Sequence, residues 1–404
     1  MKNMLFLGLM IMMLNLEVAI SQVWKKADSL PVGIVETIAV NPKNGKILAG
    51  IYGEGVFRSD FNGKNWTNAS SGLPDKLIKV IRYDSDGIAF AGLNGKGIFK
   101  STNDGQSWTE SNNGLTNKNI LDINISLNGR LYAGTWFYGS VFVSTDNGAT
   151  WTDMKLDNKD VHSVITTKDG SVLAGTEYNG LYKTSDNGKS WKSVGFSSNN
   201  IYDMVVDSDG RIFLGAKDGL YVSENNGESW TAQNKGMGTN LIRALTISKA
   251  KSIFAGTSAG IFRSIDKGLN WMEYNDGIDN NNKNIFSLLA GIDDIIYAGT
   301  ASGIYKTQTA DNIDEMSGDN FQVSFYPNPI NEKVIIIIKS NEIEPYSLNI
   351  YDISGRLIEI IAENESLTGN DVLEWHPVNI NTGFYIFRLM QGNKTISGKI
   401  LYYR

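Results

Sequence analysis

Apolar residues in this chain come in short runs, each closed by a cluster of glycine, asparagine and aspartate. In one stretch, Ile201–Val206 reads as a strand turned by Asp209-Gly210, 211–215 as a second ended by Lys217-Asp218-Gly219, and 220–223 as a third, with Trp230 opening a fourth. Runs of this length, punctuated by Asn-Gly and Asp-Gly, predict antiparallel sheet. The same order recurs along the chain. An Ala-Gly pair ends the second run at Ala49-Gly50, Ala91-Gly92, Ala133-Gly134, Ala174-Gly175, Ala255-Gly256 and Ala298-Gly299, with Leu214-Gly215 as the variant. Seven such units, each of about forty residues and four strands, predict an all-β ring of small sheets: a seven-bladed β-propeller over 22–309.

Six units carry an eight-residue phrase between their third and fourth strands, with a hydroxyl first, Asn or Asp near the middle, Gly fifth and Trp last. The copies are 59–66, 101–108, 144–151, 184–191, 223–230 and 264–271, and Ser144-Thr145-Asp146-Asn147-Gly148-Ala149-Thr150-Trp151 is the cleanest. The third residue is expected to accept backbone N–H bonds from two residues on, the glycine to permit positive φ, and the tryptophan to bury its ring against its own blade. A calcium loop is the other reading of the phrase. Against it, Phe61 replaces the acid in the first copy and no bidentate glutamate follows at the needed distance. The seventh unit reaches Tyr305-Lys306-Thr307 and then lacks both Gly and Trp, while Trp24 stands near the start with no phrase before it. The two anomalies complete each other. The segment around Trp24 is expected to supply the fourth strand of the last blade and so close the ring, removing its open edges.

Residues 1–21 read as a signal peptide, with Lys2, an apolar core from Leu5 to Leu14, and Ala19-Ile20-Ser21 before Gln22. The apolar core is too short for a transmembrane segment, and nothing later replaces it. The chain has no cysteine, so neither disulfides nor thiol chemistry enter. A propeller of this size buries enough core without them. A formal net charge of −6 with no basic stripe argues against a nucleic-acid partner. His162 and His376 fall in separate domains and make no zinc site, and no phosphate loop, dinucleotide fingerprint or Ser/His/Asp arrangement appears. No metal and no cofactor are expected.

After 309 the period stops. Residues 310–321 read as a polar linker, and apolar runs at 334–338, 348–353, 384–389 and 396–402 predict a small immunoglobulin-like β-sandwich over 322–404. Its landmarks, in order, are Tyr326-Pro327-Asn328-Pro329, then Asn349-Ile350-Tyr351-Asp352-Ile353-Ser354-Gly355-Arg356, then Gly383-Phe384-Tyr385, and Lys399 near the end. On these residues the tail resembles the type A C-terminal sorting domain of the type IX secretion system, a family of Bacteroidetes-type bacteria. The resemblance implies Sec export, recognition of the folded tail by the type IX machinery at the outer membrane, and a secreted or surface-held product. The chain departs from that family at Tyr402-Tyr403-Arg404, which replaces a lysine-rich terminal strand. The eight-residue phrase likewise resembles the Asp-box (BNR) repeat of sialidases, sortilin-type receptors, xyloglucan-specific glucanases and the photosystem II assembly factor. That resemblance implies the fold and leaves activity open.

Two classes of function remain. A sialidase of this repeat class carries an Arg-Ile-Pro segment and an arginine triad. This chain has no such segment, and of Arg58, Arg82, Arg130, Arg211, Arg243 and Arg263 only Arg243 starts a first strand. Xyloglucanases set two aspartates across a cleft between two propellers, and here there is one propeller. A glycoside hydrolase would have to use Asp122 and Asp203, which share one place in the first strands of blades 3 and 5; the other blades are read as having Thr37, Val80, Ser163, Arg243 and Ser287 there. Such chemistry needs carboxylates roughly 5–10 Å apart, and the plainer reading of the pair is solvation of a polar channel. A non-enzymatic binder would instead use the face built from the loops between second and third strands. Thr135-Trp136-Phe137-Tyr138-Gly139 is long and aromatic there, Glu177 and Tyr178 follow one blade on, and Tyr52 and Glu54 lie two blades back. With Arg243 and His162 on the adjoining ring, these are the candidate residues for a glycan or protein ligand. The rival reading has Trp136 and its neighbours plugging the wedge between blades.

Overall fold

In a computed structural model, the chain is described at residues 23–27, 29–59, 63–239, 241–292, 295–307, 321–326, 334–340, 344–366, 370–381, 383–392 and 394–402. The expected signal peptide, the 310–320 segment and Pro327-Asn328-Pro329 lie outside these residues. The chain divides into two compact units, one of residues 22–309 and one that contains 310–404.

The first unit is a seven-bladed propeller of four-stranded antiparallel sheets. Blade 5 is representative, with strands Ile201–Val206, Ile212–Ala216, Gly219–Ser223 and Thr231–Ala232. The fourth strand thus starts one residue after Trp230. Blade 7 takes Ser287–Ala290, Ile296–Thr300 and Gly303–Thr307 from the end of the unit and Trp24–Lys26 from its start, with Trp24 opposite Thr307 and Lys26 opposite Tyr305. The closure expected from the two anomalies is therefore present.

The recurring Ala-Gly pair has a packing cause. A Cβ on Gly50 would stand 2.7 Å from Thr37 Cγ2 and 2.9 Å from Ile78 Cγ2, so only glycine lets the first strand of blade 2 lie against the second strand of blade 1. The cores accordingly lie between blades. One cluster joins Val80, Phe90 and Ile98 of blade 2 to Ile123, Phe142 and Trp151 of blade 3. Another joins Trp24 to Phe254 and Ile261 of blade 6.

The eight-residue phrase works differently from expectation in two respects. Asp146 accepts from the backbone N–H of Thr150, four residues on, at 2.8 Å, and from the Ser144 and Thr150 hydroxyls. Ser144 Oγ in turn accepts from Gly148 N–H at 2.9 Å. The hydroxyl from the side chain of Thr150 and its backbone N–H hold the Asp146 carboxyl down at about 2. Positive φ falls on two successive residues, Asn147 (58°) and Gly148 (80°). The tryptophan also reaches beyond its own blade. Trp108, Trp151, Trp191 and Trp271 donate Nε1–H to Ala69, Ser111, Met154 and Gln233, carbonyls of the preceding blade, at 2.8–3.0 Å. Trp24 makes the equivalent bond to Tyr274 O at 2.7 Å, and its backbone N–H reaches Asp276 O. The strand that closes the ring therefore carries its own inter-blade tryptophan.

The second unit is a two-sheet sandwich. Phe321–Tyr326, Val334–Ser340 and Asn370–Trp375 form one sheet. Leu357–Ser366, Pro345–Asp352, Gly383–Gln391 and Lys394–Tyr402 form the other in that spatial order. Three strands beyond the four read from apolar runs are present, and the first begins at Phe321, inside the expected linker. Ile336, Leu348, Ile350, Trp375, Phe387 and Leu389 are central to its core. Among the sorting landmarks, Gly355 takes φ +85° in a turn where Asp352 accepts from the N–H groups of Ser354 and Arg356. Gly383 starts its strand, and Tyr385 donates its hydroxyl to Asn381 O at 2.7 Å, a corner typical of such sandwiches. Lys399 pairs through its backbone with Ile386. Tyr326 ends the first strand and pairs with Ile335.

Candidate functional site

Every first strand of blades 1–6 slips register by one residue near its start. The slips leave Glu36, Lys79, Leu121, His162, Tyr202 and Arg243 unpaired between ladder positions. Such bulges re-aim a side chain away from the sheet face. The six sit at equivalent places, beside the loops that join second to third strands, and Phe286 precedes the paired part of the first strand in blade 7. Between them, aliphatic and small residues repeat; at them, charge and aromaticity vary. Sequence reasoning named His162 and Arg243 but missed Glu36, Lys79 and Tyr202, whose one signal was that variability against a constant background.

The slip also corrects the ring of Asp122 and Asp203. The residue facing the second-strand glycine is Thr37, Val80, Asp122, Ser163, Asp203, Ala244 and Ser287 in turn. Blade 6 contributes Ala244, because Arg243 is the bulged residue. The arginine beside the acids is Arg82, whose Nη2 lies 3.2 Å from Asp122 Oδ1. Asp122 Oδ2 accepts from Val164 N–H of blade 4 at 2.9 Å. Asp203 accepts from Met204 N–H and, at 2.7 Å, from Leu245 N–H of blade 6. Thr37 does the same for Ile81 N–H of blade 2. These side chains pin successive blades together. Asp122, Asp203 and Arg82 also line a central cavity of about 490 Å³, whose wall runs along the later halves of the first strands to Leu127, away from the bulged residues. Burial, reinforced by the Asp122 charge, lifts the Asp203 carboxyl to about 7 against the pull of Arg82 and its two N–H donors.

The aromatic loop lies beside the bulged ring in blades 3–5. Phe137 and Tyr138 both adopt left-handed backbone, φ +57° and +54°, as does Tyr178 at +63°. Bulky residues rarely occupy that region, and all three side chains are exposed, at 58%, 84% and 65%. The amide of Asn117 donates to the carbonyls of Trp136 and Phe137, and Asn200 accepts from Tyr178 N–H. Trp136 is half-buried under Phe137, ring centroids 4.4 Å apart. It therefore supports the loop, while Phe137 and Tyr138 keep most of their surface exposed. Glu177 lies 3.2 Å from His162 Nε2, and the His162 ring meets Tyr202 edge-on at 6.2 Å. Trp136, Phe137, Tyr138, Glu177, Tyr178 and His162 thus belong to one sector, to which Tyr202 and Asn200 must be added.

The remaining three candidates stand elsewhere on the ring. Tyr52 and Glu54 are exposed in blade 1, where Tyr52 lies under Lys79 at 5.4 Å and Lys79 pairs with Glu36 at 3.0 Å. Arg243 lies over the Phe286 ring at 5.4 Å and donates to Asn284 Oδ1 at 3.2 Å. Among the described residues no group of three or more His, Cys, Asp or Glu is arranged to hold a metal ion, and no helix is long and apolar enough to cross a membrane.

Residues 324–402 match the family described as the secretion system C-terminal sorting domain, and residues 195–218 match the two component regulator propeller. The chain is thus a seven-bladed propeller carrying a type IX sorting tail, a protein exported to the cell surface or beyond it. No curated protein matches it. Among solved structures, it is similar to the extracellular domain of BT3049 from B. thetaiotaomicron at 16% identity and a TM-score of 0.60, covering 94% of this chain and 57% of that one. This chain therefore spans little more than half the length of that relative. It is also similar to YCF48 from Cyanidioschyzon merolae, at 15% identity and TM-score 0.58 over 71% of this chain and 99% of that one. Streptogramin B lyase gives 18% identity and TM-score 0.57, over 70% and 97%. At such identities the likeness is one of fold.

Proposed function

We propose that this exported propeller is a recognition module without catalytic activity, binding a glycan or protein ligand on the face around Trp136. The observation that carries the reading is the strained arc of Phe137, Tyr138 and Tyr178, three exposed aromatic residues fixed in left-handed backbone by Asn117 and Asn200. Strain of this kind costs of order 1–3 kcal/mol per residue and persists where the surroundings enforce it, commonly at ligand sites. Exposed rings on a backbone held in place beside Glu177 supply apolar contact area with the backbone already ordered for binding. A propeller of this fold, YCF48, has been solved bound to a D1 peptide. For the hydrolase alternative, Asp203 and Asp122 would have to bind substrate while each already accepts a backbone N–H of the next blade, so their geometry favours a structural duty.

The test is a Tyr138→Ala/Tyr178→Ala double variant of the mature protein on glycan and surface-protein arrays. At about 1.5–3 kcal/mol per buried ring, affinity for the ligand is expected to fall at least tenfold with an unchanged thermal midpoint. Full retention of binding defeats the reading.

A further inference from the structure

Arg243 is the one bulged cation whose charge the described residues leave uncompensated. Lys79 at the equivalent place pairs with Glu36, and Arg82 and Arg211 have carboxylate partners, whereas no carboxylate pairs with Arg243. Its guanidinium is half-buried, laid over the Phe286 ring and fixed by Asn284 Oδ1. A guanidinium restrained over a ring at cation–π distance and by one amide keeps N–H donors free in a planar fork, the geometry that matches a carboxylate. The neighbouring bulged residue, Tyr202, receives a hydrogen bond on its hydroxyl oxygen from Asn200 at 3.5 Å, which leaves the O–H to donate. Next along the ring come His162 with Glu177, then the exposed rings of Tyr178, Tyr138 and Phe137.

From this order of groups we infer that the face takes an acidic polysaccharide, with a uronate carboxylate held by Arg243 and Tyr202 and adjacent sugar rings laid on the aromatic arc. The inference rests on the recognition reading above and adds its ligand class. The groups run over four successive blades, which suits a polymer rather than a single sugar. Carboxylate and amide side chains beside the rings, Glu177 and Asn200 among them, offer the planar paired acceptors and donors that vicinal hydroxyls require. The acid pairing itself is the specific part. A half-buried arginine given an anion gains a charge-assisted fork, while a neutral polymer leaves it unpaired.

Affinity electrophoresis of the mature chain in gels cast with polygalacturonate, fully methyl-esterified pectin or neutral xyloglucan tests this. Polygalacturonate is expected to retard the protein, the esterified polymer far less, and Arg243→Gln to weaken the retardation at least tenfold with no change in thermal midpoint. Arg243→Lys keeps the charge but loses the fork, and is expected to fall between. Equal retardation by the esterified polymer, or an Arg243→Gln variant that binds like the wild type, overturns the inference. If Tyr138→Ala/Tyr178→Ala then abolishes binding to xyloglucan or to an arrayed protein, the recognition reading survives with a different ligand. If no polymer retards the protein and no arrayed protein binds it, both fall.

Discussion

The smallest working part of this molecule is the indole nitrogen of each repeat. Trp151 closes its own turn, yet its Nε1–H is spent on Ser111 O of the blade before. Replacing it by Phe keeps most of the ring and removes that bond, so unfolding free energy is expected to fall by about 1 kcal/mol in urea melts. Trp151→Ala adds loss of the ring and should cost about 3–5 kcal/mol. Asp203 makes a prediction of opposite character. Its carboxyl is raised to about 7 in the fold against an ordinary 3.8, so the native state binds the extra proton between those values. The stability this proton contributes is full below about pH 4 and is lost as pH climbs to 7. Asp203→Asn should therefore flatten the fall in thermal midpoint between pH 5 and 8. An unchanged slope counts against the raised acid.

Strands and turns were largely readable from the chain, and the places where they were not share one cause. The apolar runs and Gly-rich turns mark the four strands of blade 5 to within a residue, as at Ile201–Val206. A bulge inserts a residue without altering composition, so its one mark in the sequence is a variable residue against a constant background. Since the slip is common to blades 1–6, it does not separate Arg243 from the others; Ala244, one residue on, faces Gly256 as Asp122 faces Gly134. Three tail strands were missed for a related reason. Leu357–Ser366 shifts register three times against its neighbour and is mostly exposed, so it shows no clean alternation. The closing strand tests the element reading. Trp24→Ala removes a fully buried ring and the Tyr274 bond, at a cost of about 3–5 kcal/mol, and loosens the edge of Gly303–Thr307. Size-exclusion chromatography should show self-association through that edge; a monomer with an unchanged midpoint would contradict the role given to it.

For the molecule as a whole, the tail decides where it goes and, on the function proposed above, the propeller what it meets. Deleting 322–404 is expected to hold the protein in the periplasm, checked by fractionating cells, while the propeller keeps its thermal midpoint. The sorting landmarks were legible because a turn such as Asp352 to Arg356 needs particular residues in a particular order. The proposed ligand face was legible only in its aromatics, since the cations and acids beside them acquire meaning from blades far apart in the chain. The pairing of Trp24 with Thr307 also sets an order of events. Within the propeller the first strand pairs with the last, so until those two ends meet the six earlier leaves form an arc with a bare rim. Sealing that arc requires a contact between distant ends, the slowest kind to form, and the rate at which the newly exported protein becomes protease-resistant should follow this single late event.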